Sequence, residues 1–365
     1  MLLSHRCIVF TDQEVYFQCR QAHSCESYPA LINLEMLTEP GPLEPFYVPA
    51  LHARQFTDTE GLGAVLQNFI LRNMTYDTDV LNALRGIMKQ YTRELGTYFV
   101  HGLPLLAKPR FQDSFECFIS GEQLGSLDPA QKLNRRFVTA LTWEAPNDSS
   151  WAKGGLQAYG IDLERREGFP SWSWAGWKWP MKRIFGSFLG HHICPAAEAT
   201  LYTVGGTTLY WKVIQTNLES NNLDDAGLSS TITLRAWAFP IKLVRADSPI
   251  TPKGKSYECF VDSRLFAYES VRFNLYRGKW SWKTRDYTAL YFGPLAGSPE
   301  VPSHSKLSSF GASIFFMAVK ERADGKWERV GDGHGNWGSI RQFFGWRDRV
   351  MRIPGLFEFR TFDIC

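Results

Sequence analysis

Apolar residues recur along this chain with two periods, and the period changes near its middle. Leu62, Val65, Leu66, Phe69 and Ile70 form one stripe at three- and four-residue steps, which predicts a helix from about Gly61 to Arg72. Val80, Leu84, Ile87 and Tyr91 repeat the pattern over about Thr78 to Leu95, where Asp77, Thr78 and Asp79 offer capping oxygens and Gly96 offers a stop. A third helix is predicted over Pro129 to Leu141, with Leu133, Phe137, Ala140 and Leu141 inward.

After about residue 195 the period falls to two. Thr200 to Ile214, Thr231 to Val244, Tyr257 to Val261, Leu265 to Leu275 and Tyr287 to Phe292 read as strands, rich in β-branched and aromatic residues. Ser313 to Lys320 and Lys326 to Val330 form a hairpin around Ala323-Asp324-Gly325, and the polar run Glu219 to Ser230 reads as a loop. At the other end, Cys7 to Phe10 and Val15 to Phe17 make a short hairpin with no obvious sheet to join. Pro29, Pro40, Pro42, Pro45 and Pro49 exclude a continuous helix over Tyr28 to Pro49.

The expected class is therefore α+β, a helical N-terminal half followed by an antiparallel β-rich C-terminal half. The expected divisions are 1–27, a proline-rich linker at 28–55, a mainly helical region at 56–190 that ends in a strand at Pro170–Trp177, and a β-rich region at 191–365. In that strand Pro170 sets an extended entry, and alternation would send Trp172 and Trp174 to one face and Ser171 and Ser173 to the other.

Composition narrows the function classes. With 365 residues, 44% hydrophobic and 15% aromatic, the chain can bury one large core or two ordinary ones. A formal charge of +3 is far from the dense positive field that phosphate neutralisation needs, so no nucleic-acid partner is expected. Seven thinly spread cysteines do not resemble a secreted disulfide framework, and neither a signal peptide nor a membrane span is apparent. A cytoplasmic protein with other proteins as partners is expected, its oligomeric state unspecified.

The search for chemistry is mostly negative. Gly254-Lys255-Ser256 lacks the earlier glycine of a phosphate-binding loop, since that position is Pro249, and Gly331-Asp332-Gly333-His334-Gly335 reads as a turn because no helix follows it. Cys19, His23 and Cys25 lack the paired spacing of a zinc site. No Gly-x-Ser-x-Gly elbow or His-Glu-x-x-His helix is present. The expectation is no catalytic residue, no metal and no cofactor. The rival expectation is an enzyme acting on a nucleotide such as NAD, with a pocket between the halves lined by His101, Arg85 and Trp179.

Four stretches together resemble one family. Leu2-Leu3-Ser4-His5-Arg6-Cys7-Ile8-Val9-Phe10-Thr11 with Val15-Tyr16-Phe17-Gln18-Cys19 looks like the segment that ends a fungal heterokaryon incompatibility (HET) domain. The run from Arg72 to Ile87, with Thr75, Tyr76, Asp79, Leu81, Ala83, Leu84 and Gly86, looks like the helix that follows that domain. Pro170-Ser171-Trp172-Ser173-Trp174-Ala175-Gly176-Trp177 is the most specific match, and Trp327-Glu328-Arg329-Val330-Gly331 resembles a late strand of the same proteins.

The resemblance implies a role in fungal nonself recognition and programmed cell death. It also implies that residues 1–27 are a remnant of the end of a HET domain, most of that domain being missing from a truncated chain. The HET domain is distantly related to TIR domains, so any machinery for consuming NAD or for assembly would lie upstream. No catalytic residue is carried over.

Overall fold

The computed structural model describes residues 6–10, 15–19, 22–25, 28–33, 66, 69–70, 74, 76–106, 128–143, 157–161, 163–178, 197–219, 227–245, 256–260, 270–276, 285–292, 312–337 and 354–365. The opening hairpin, β1 (Arg6–Phe10) and β2 (Val15–Cys19), is extended by β3 (Ala22–Cys25) and β4 (Tyr28–Asn33) into a four-stranded antiparallel sheet. The hairpin thus has a sheet to join, and the segment expected as a linker begins with a strand. Pro29 is tolerated because β4 is the outermost strand of this sheet among the described residues.

Helix α1 (Val80–Leu95) matches its apolar stripe, with Val80, Leu84, Ile87 and Tyr91 all buried. Its start differs from expectation. Asp77–Asp79 is a separate 3₁₀ turn, and the Asp79 side chain makes no capping bond. Gly96 ends the helix in the left-handed region at φ 63°, with its N–H on the Thr92 carbonyl at 2.9 Å. A tight hairpin follows, β5 (Thr97–Val100) and β6 (Leu103–Leu106), turning through His101 and Gly102 at φ 47° and 86°. Two successive positive φ values match the twist of the flanking strands.

Helix α2 (Pro129–Ala140) begins with a reciprocal cap. Asp128 Oδ1 accepts from the Gln131 N–H at 2.8 Å, Gln131 Oε1 accepts from the Asp128 N–H at 3.0 Å, and Pro129 takes the first helical position. Short strands follow: β7 (Gln157–Ile161), then β8 (Glu164–Arg165) paired with β9 (Trp177–Lys178), then β10 (Glu198–Tyr202) paired with β11 (Thr208–Leu209). Helix α3 (Trp211–Glu219) begins on residues 211–214, which were expected as strand.

Strand β12 (Ile232–Arg245) organises what remains. Two strands paired to the same residues must lie on its opposite edges. Arg235 pairs with both β10 and β18 (Glu358–Ile364), and Trp237 with both β18 and β15 (Arg285–Phe292). From β15 the sheet continues through β16 (Ala312–Glu321) to β17 (Trp327–Trp337). Strand β17 then returns to β12 directly through β18, and also through β14 (Ser270–Tyr276), β7 and β13 (Ser256–Phe260). The ten-stranded sheet closes into a barrel. It is five strands round at one end (β12, β15, β16, β17, β18) and seven at the other (β12, β15, β16, β17, β14, β7, β13).

Both faces of that barrel wall are buried. Ile232, Leu234, Ala236, Leu290, Phe315, Met317 and Val319 belong to one core with α1, α2 and the tryptophans of Pro170–Trp177. Phe239, Tyr291, Phe316 and Phe357 point the other way and pack ring against ring, with centroids 5.5–6.0 Å apart, as the filling of the barrel.

The expected helical N-terminal half is overturned. Among the described residues only α1, α2 and α3 have helical bounds of any length, while nine strands lie before residue 180. The helix expected over Gly61 to Arg72 is described only at Leu66, Phe69 and Ile70, which are helical and buried. The missed strands run from two to six residues, too short for a period of two to register. Gly331–Gly335, expected as a turn, lies inside β17 and pairs with both β14 and β16. Among the described residues no helix is long and apolar enough to cross a membrane.

Candidate functional site

The segment from Pro170 to Gly176 is a turn rather than a strand, and only Trp177 enters β9. Ser173 N–H donates to the Pro170 carbonyl at 3.2 Å, and Trp174–Gly176 forms a 3₁₀ turn capped by Ser173 Oγ, which accepts from the Ala175 N–H at 3.0 Å. Coiling replaces alternation, so Ser171, Trp172, Ser173, Trp174 and Ala175 are all fully buried. Gly176 is required at the crossing, because a Cβ there would lie 2.3 Å from the Pro170 carbonyl oxygen. Burying each large ring stabilises the fold by about 1.5–3 kcal/mol.

Every indole N–H in this knot finds a carbonyl at 2.8 Å: Trp143 reaches Trp172, Trp172 reaches Ser230, Trp174 reaches Gly102 and Trp177 reaches Ser171. The serines are equally committed. Ser171 Oγ donates to the Cys365 carbonyl and accepts from the Arg329 N–H at 3.0 Å. Ser173 Oγ donates to the His101 carbonyl at 2.6 Å. The knot therefore ties the β5–β6 hairpin, the 229–230 segment, β17 and the residue after β18 to one another.

Three arginines line it. Arg329 is fully buried, with Nη1 and Nη2 on the carbonyls of Leu141 and Trp143 and its guanidinium over the Trp143 ring. Arg165 donates to the carbonyls of Arg166, Phe169 and Gly176 and pairs with Glu328 at 3.2 Å. Arg166 donates to the carbonyls of Ala175 and Trp177 and pairs with Asp77 at 3.4 Å. Burial pulls both Arg165 and Arg166 below the ordinary guanidinium value, against the opposing pull of Glu328 and Asp77. Lys178 Nζ also reaches Asp77, at 2.6 Å, and that hydrogen bond leads the causes holding the Asp77 carboxyl below its usual range.

No nucleophile and base meet here. His101 Nε2 lies 3.2 Å from the Ser229 carbonyl and its ring stands perpendicular to Trp172, while Ser171 and Ser173 direct their hydroxyls at the carbonyls of Cys365 and His101. Arg85 is exposed on α1, and Trp179 lies outside the described residues. Of the two described residues expected to line a pocket, His101 is at the knot and Arg85 is not. Among the described residues no cluster of His, Cys, Asp and Glu could hold a metal.

The helix stretch divides in the same way. Thr75 lies outside the described residues, Tyr76 and Ala83 are exposed, Asp79 and Gly86 are half-buried, and Leu84 is fully buried. Leu81 reaches the knot, since a Cβ on Gly102 would lie 2.8 Å from its Cδ2 and 3.0 Å from Trp174. Missing from the sequence-based expectations were Arg165, Arg166, Gly102 and Ser230, while Arg329 was named only as a member of the late-strand stretch. The adjacent His101-Gly102 pair between β-prone residues was the one legible turn signal among them.

The knot's polar groups serve backbone carbonyls and one another, which suits a structural joint. Comparison with protein-family models, with curated proteins and with solved structures finds no match for this chain.

Proposed function

We propose that the chain is a HET-type module that acts inside a fungal cell in nonself recognition and programmed cell death, through contacts with other proteins rather than by catalysis. One observation supports this reading most. Three of the stretches that carry the family resemblance meet in one place: Asp77 pairs with Arg166 and Lys178 beside the Trp172–Trp177 knot, and Arg329 of the late strand donates its N–H to Ser171. Separate stretches that jointly build one joint are what a shared architecture would retain.

The enzyme reading has less support, because the serine hydroxyls and His101 Nε2 are each directed at backbone groups. The deciding experiment is deletion of the gene in its fungus, followed by confrontation with incompatible strains. Loss of cell death at hyphal contact, restored by the wild-type gene, is the expected outcome. Undiminished death would reject the reading, and NAD turnover by the purified chain would favour the enzyme.

A further inference from the structure

His101 is a titratable side chain that touches the knot with no charged group acting on it among the described residues, and its setting is unusual. It sits at φ 47° in the first turn position of the β5–β6 hairpin, a region that non-glycine residues seldom enter. Its own carbonyl accepts from Ser173 Oγ and the next carbonyl, of Gly102, accepts from Trp174 Nε1. The hairpin tip is thus plugged into the knot by two backbone oxygens, and the His101 ring is the part of the tip that can change charge.

The carbonyl of Ser229 can only accept, so the neutral ring carries its hydrogen on Nε2 and an incoming proton adds at Nδ1. What surrounds the ring offers that charge little. The 170–177 segment presents Trp172, whose ring stands perpendicular to the imidazole with centroids 5.4 Å apart, and the 227–231 segment presents the carbonyls of Leu228 and Ser229. Neither presents a titratable or charged side chain to the ring among the described residues; burial, opposed by those two carbonyls, accounts for its behaviour.

We propose that the β5–β6 tip is an acid-released latch, in which protonation of His101 withdraws the hairpin from the Ser173–Trp174 turn and opens the joint between the hairpin and the barrel. The sign follows from linkage. Burial holds the His101 pKa below the ordinary imidazole value of 6.5, so the released tip binds the proton more tightly than the docked one. Docking is fully favoured above pH 6.5 and weakens as the pH falls from there to the docked value, by up to tenfold in the opening equilibrium per unit of pH for one proton. The Asp77 pairs respond only below the ordinary carboxylate value of 3.8, which separates the two responses.

The test is amide hydrogen exchange of the full chain between pH 7.5 and 4.5, corrected for the intrinsic pH dependence of exchange and read over residues 97–106 and 170–177. His101→Asn is the comparison, because asparagine tolerates positive φ and stays neutral. The expected result is an opening equilibrium that rises up to tenfold per pH unit below 6.5 in the wild type and stays flat in His101→Asn. The same pH response in both proteins would overturn the proposal. Should His101→Asn fail to fold, NMR titration of the wild-type ring that contacts Trp172 decides alone: titration below 6.5 with coupled shifts of the Gly102 and Trp174 amides supports the latch, and titration at or above 6.5 refutes it.

Discussion

The guanidinium of Arg329 lies 3.5 Å from the centre of the Trp143 ring while donating to the Leu141 and Trp143 carbonyls at 2.8 and 2.5 Å. One side chain of β17 thereby ends α2 and fixes the first tryptophan of the knot. Arg329→Met would keep much of the packing but strip both carbonyls of a donor. Since each buried group left unpaired costs about 1–3 kcal/mol, a loss of about 2–6 kcal/mol is expected in urea denaturation. A loss under about 1 kcal/mol would show that this arginine is dispensable.

Gly176 and Gly227 make a paired test. A Cβ at Gly176 would meet backbone at 2.3 Å and Arg165 Nη1 at 2.7 Å, whereas a Cβ at Gly227 meets nothing within 4 Å. Gly176→Ala should lower the stability by about 1–3 kcal/mol through overpacking, and Gly227→Ala should stay within about 0.5 kcal/mol of wild type. Thermal melts of both variants check the contrast.

Asp77→Asn addresses pH. The folded-state carboxyl titrates below 3.8, chiefly because of the Lys178 hydrogen bond, so its stabilisation is present above 3.8 and disappears as the pH falls through the lower folded value. The side chain is 37% exposed, and solvent screening keeps the effect within about 1 kcal/mol. The variant should therefore be slightly less stable at pH 7 and should lose stability less steeply than wild type below pH 4. Denaturation midpoints at pH 7, 4 and 3 measure this.

Ser171→Ala removes the acceptor for the Arg329 N–H and the hydroxyl on the Cys365 carbonyl. A cost of about 1–3 kcal/mol is expected, with faster amide exchange over residues 358–365 than over β15 and β16. Uniform acceleration across all of these strands would mean that Ser171 supports the whole barrel rather than β18.

What the sequence displayed was whatever is local and long. The stripes of α1 and α2, the alternation of β12 and the hairpin at Ala323-Asp324-Gly325 are all written within single windows. The Trp172–Trp177 knot was visible as aromatic content but was misjudged in shape, because Ser173 as a cap and Gly176 at a crossing act through contacts that alternation does not encode. Trp211 to Ile214 carries β-prone residues yet is helical, held by tertiary contacts such as Trp211 Nε1 on the Ala199 carbonyl at 2.7 Å. Arg329 stood out only as a member of the late-strand stretch and its role in the knot was hidden, since its partners Leu141 and Trp143 lie 188 and 186 positions away.

Barrel closure sets an order of events during synthesis. Strand β12 emerges from the ribosome early in the second half, but its partner β18 spans Glu358–Ile364, so Ile232 must wait for Ile364. Until those residues appear, one edge of β12 between residues 232 and 238 has no native neighbour, and contacts of such long sequence separation form slowly. The nascent chain thus carries an open strand edge for most of the time that the barrel is being made. Chaperone dependence and sensitivity to translation rate are the traits to expect of it.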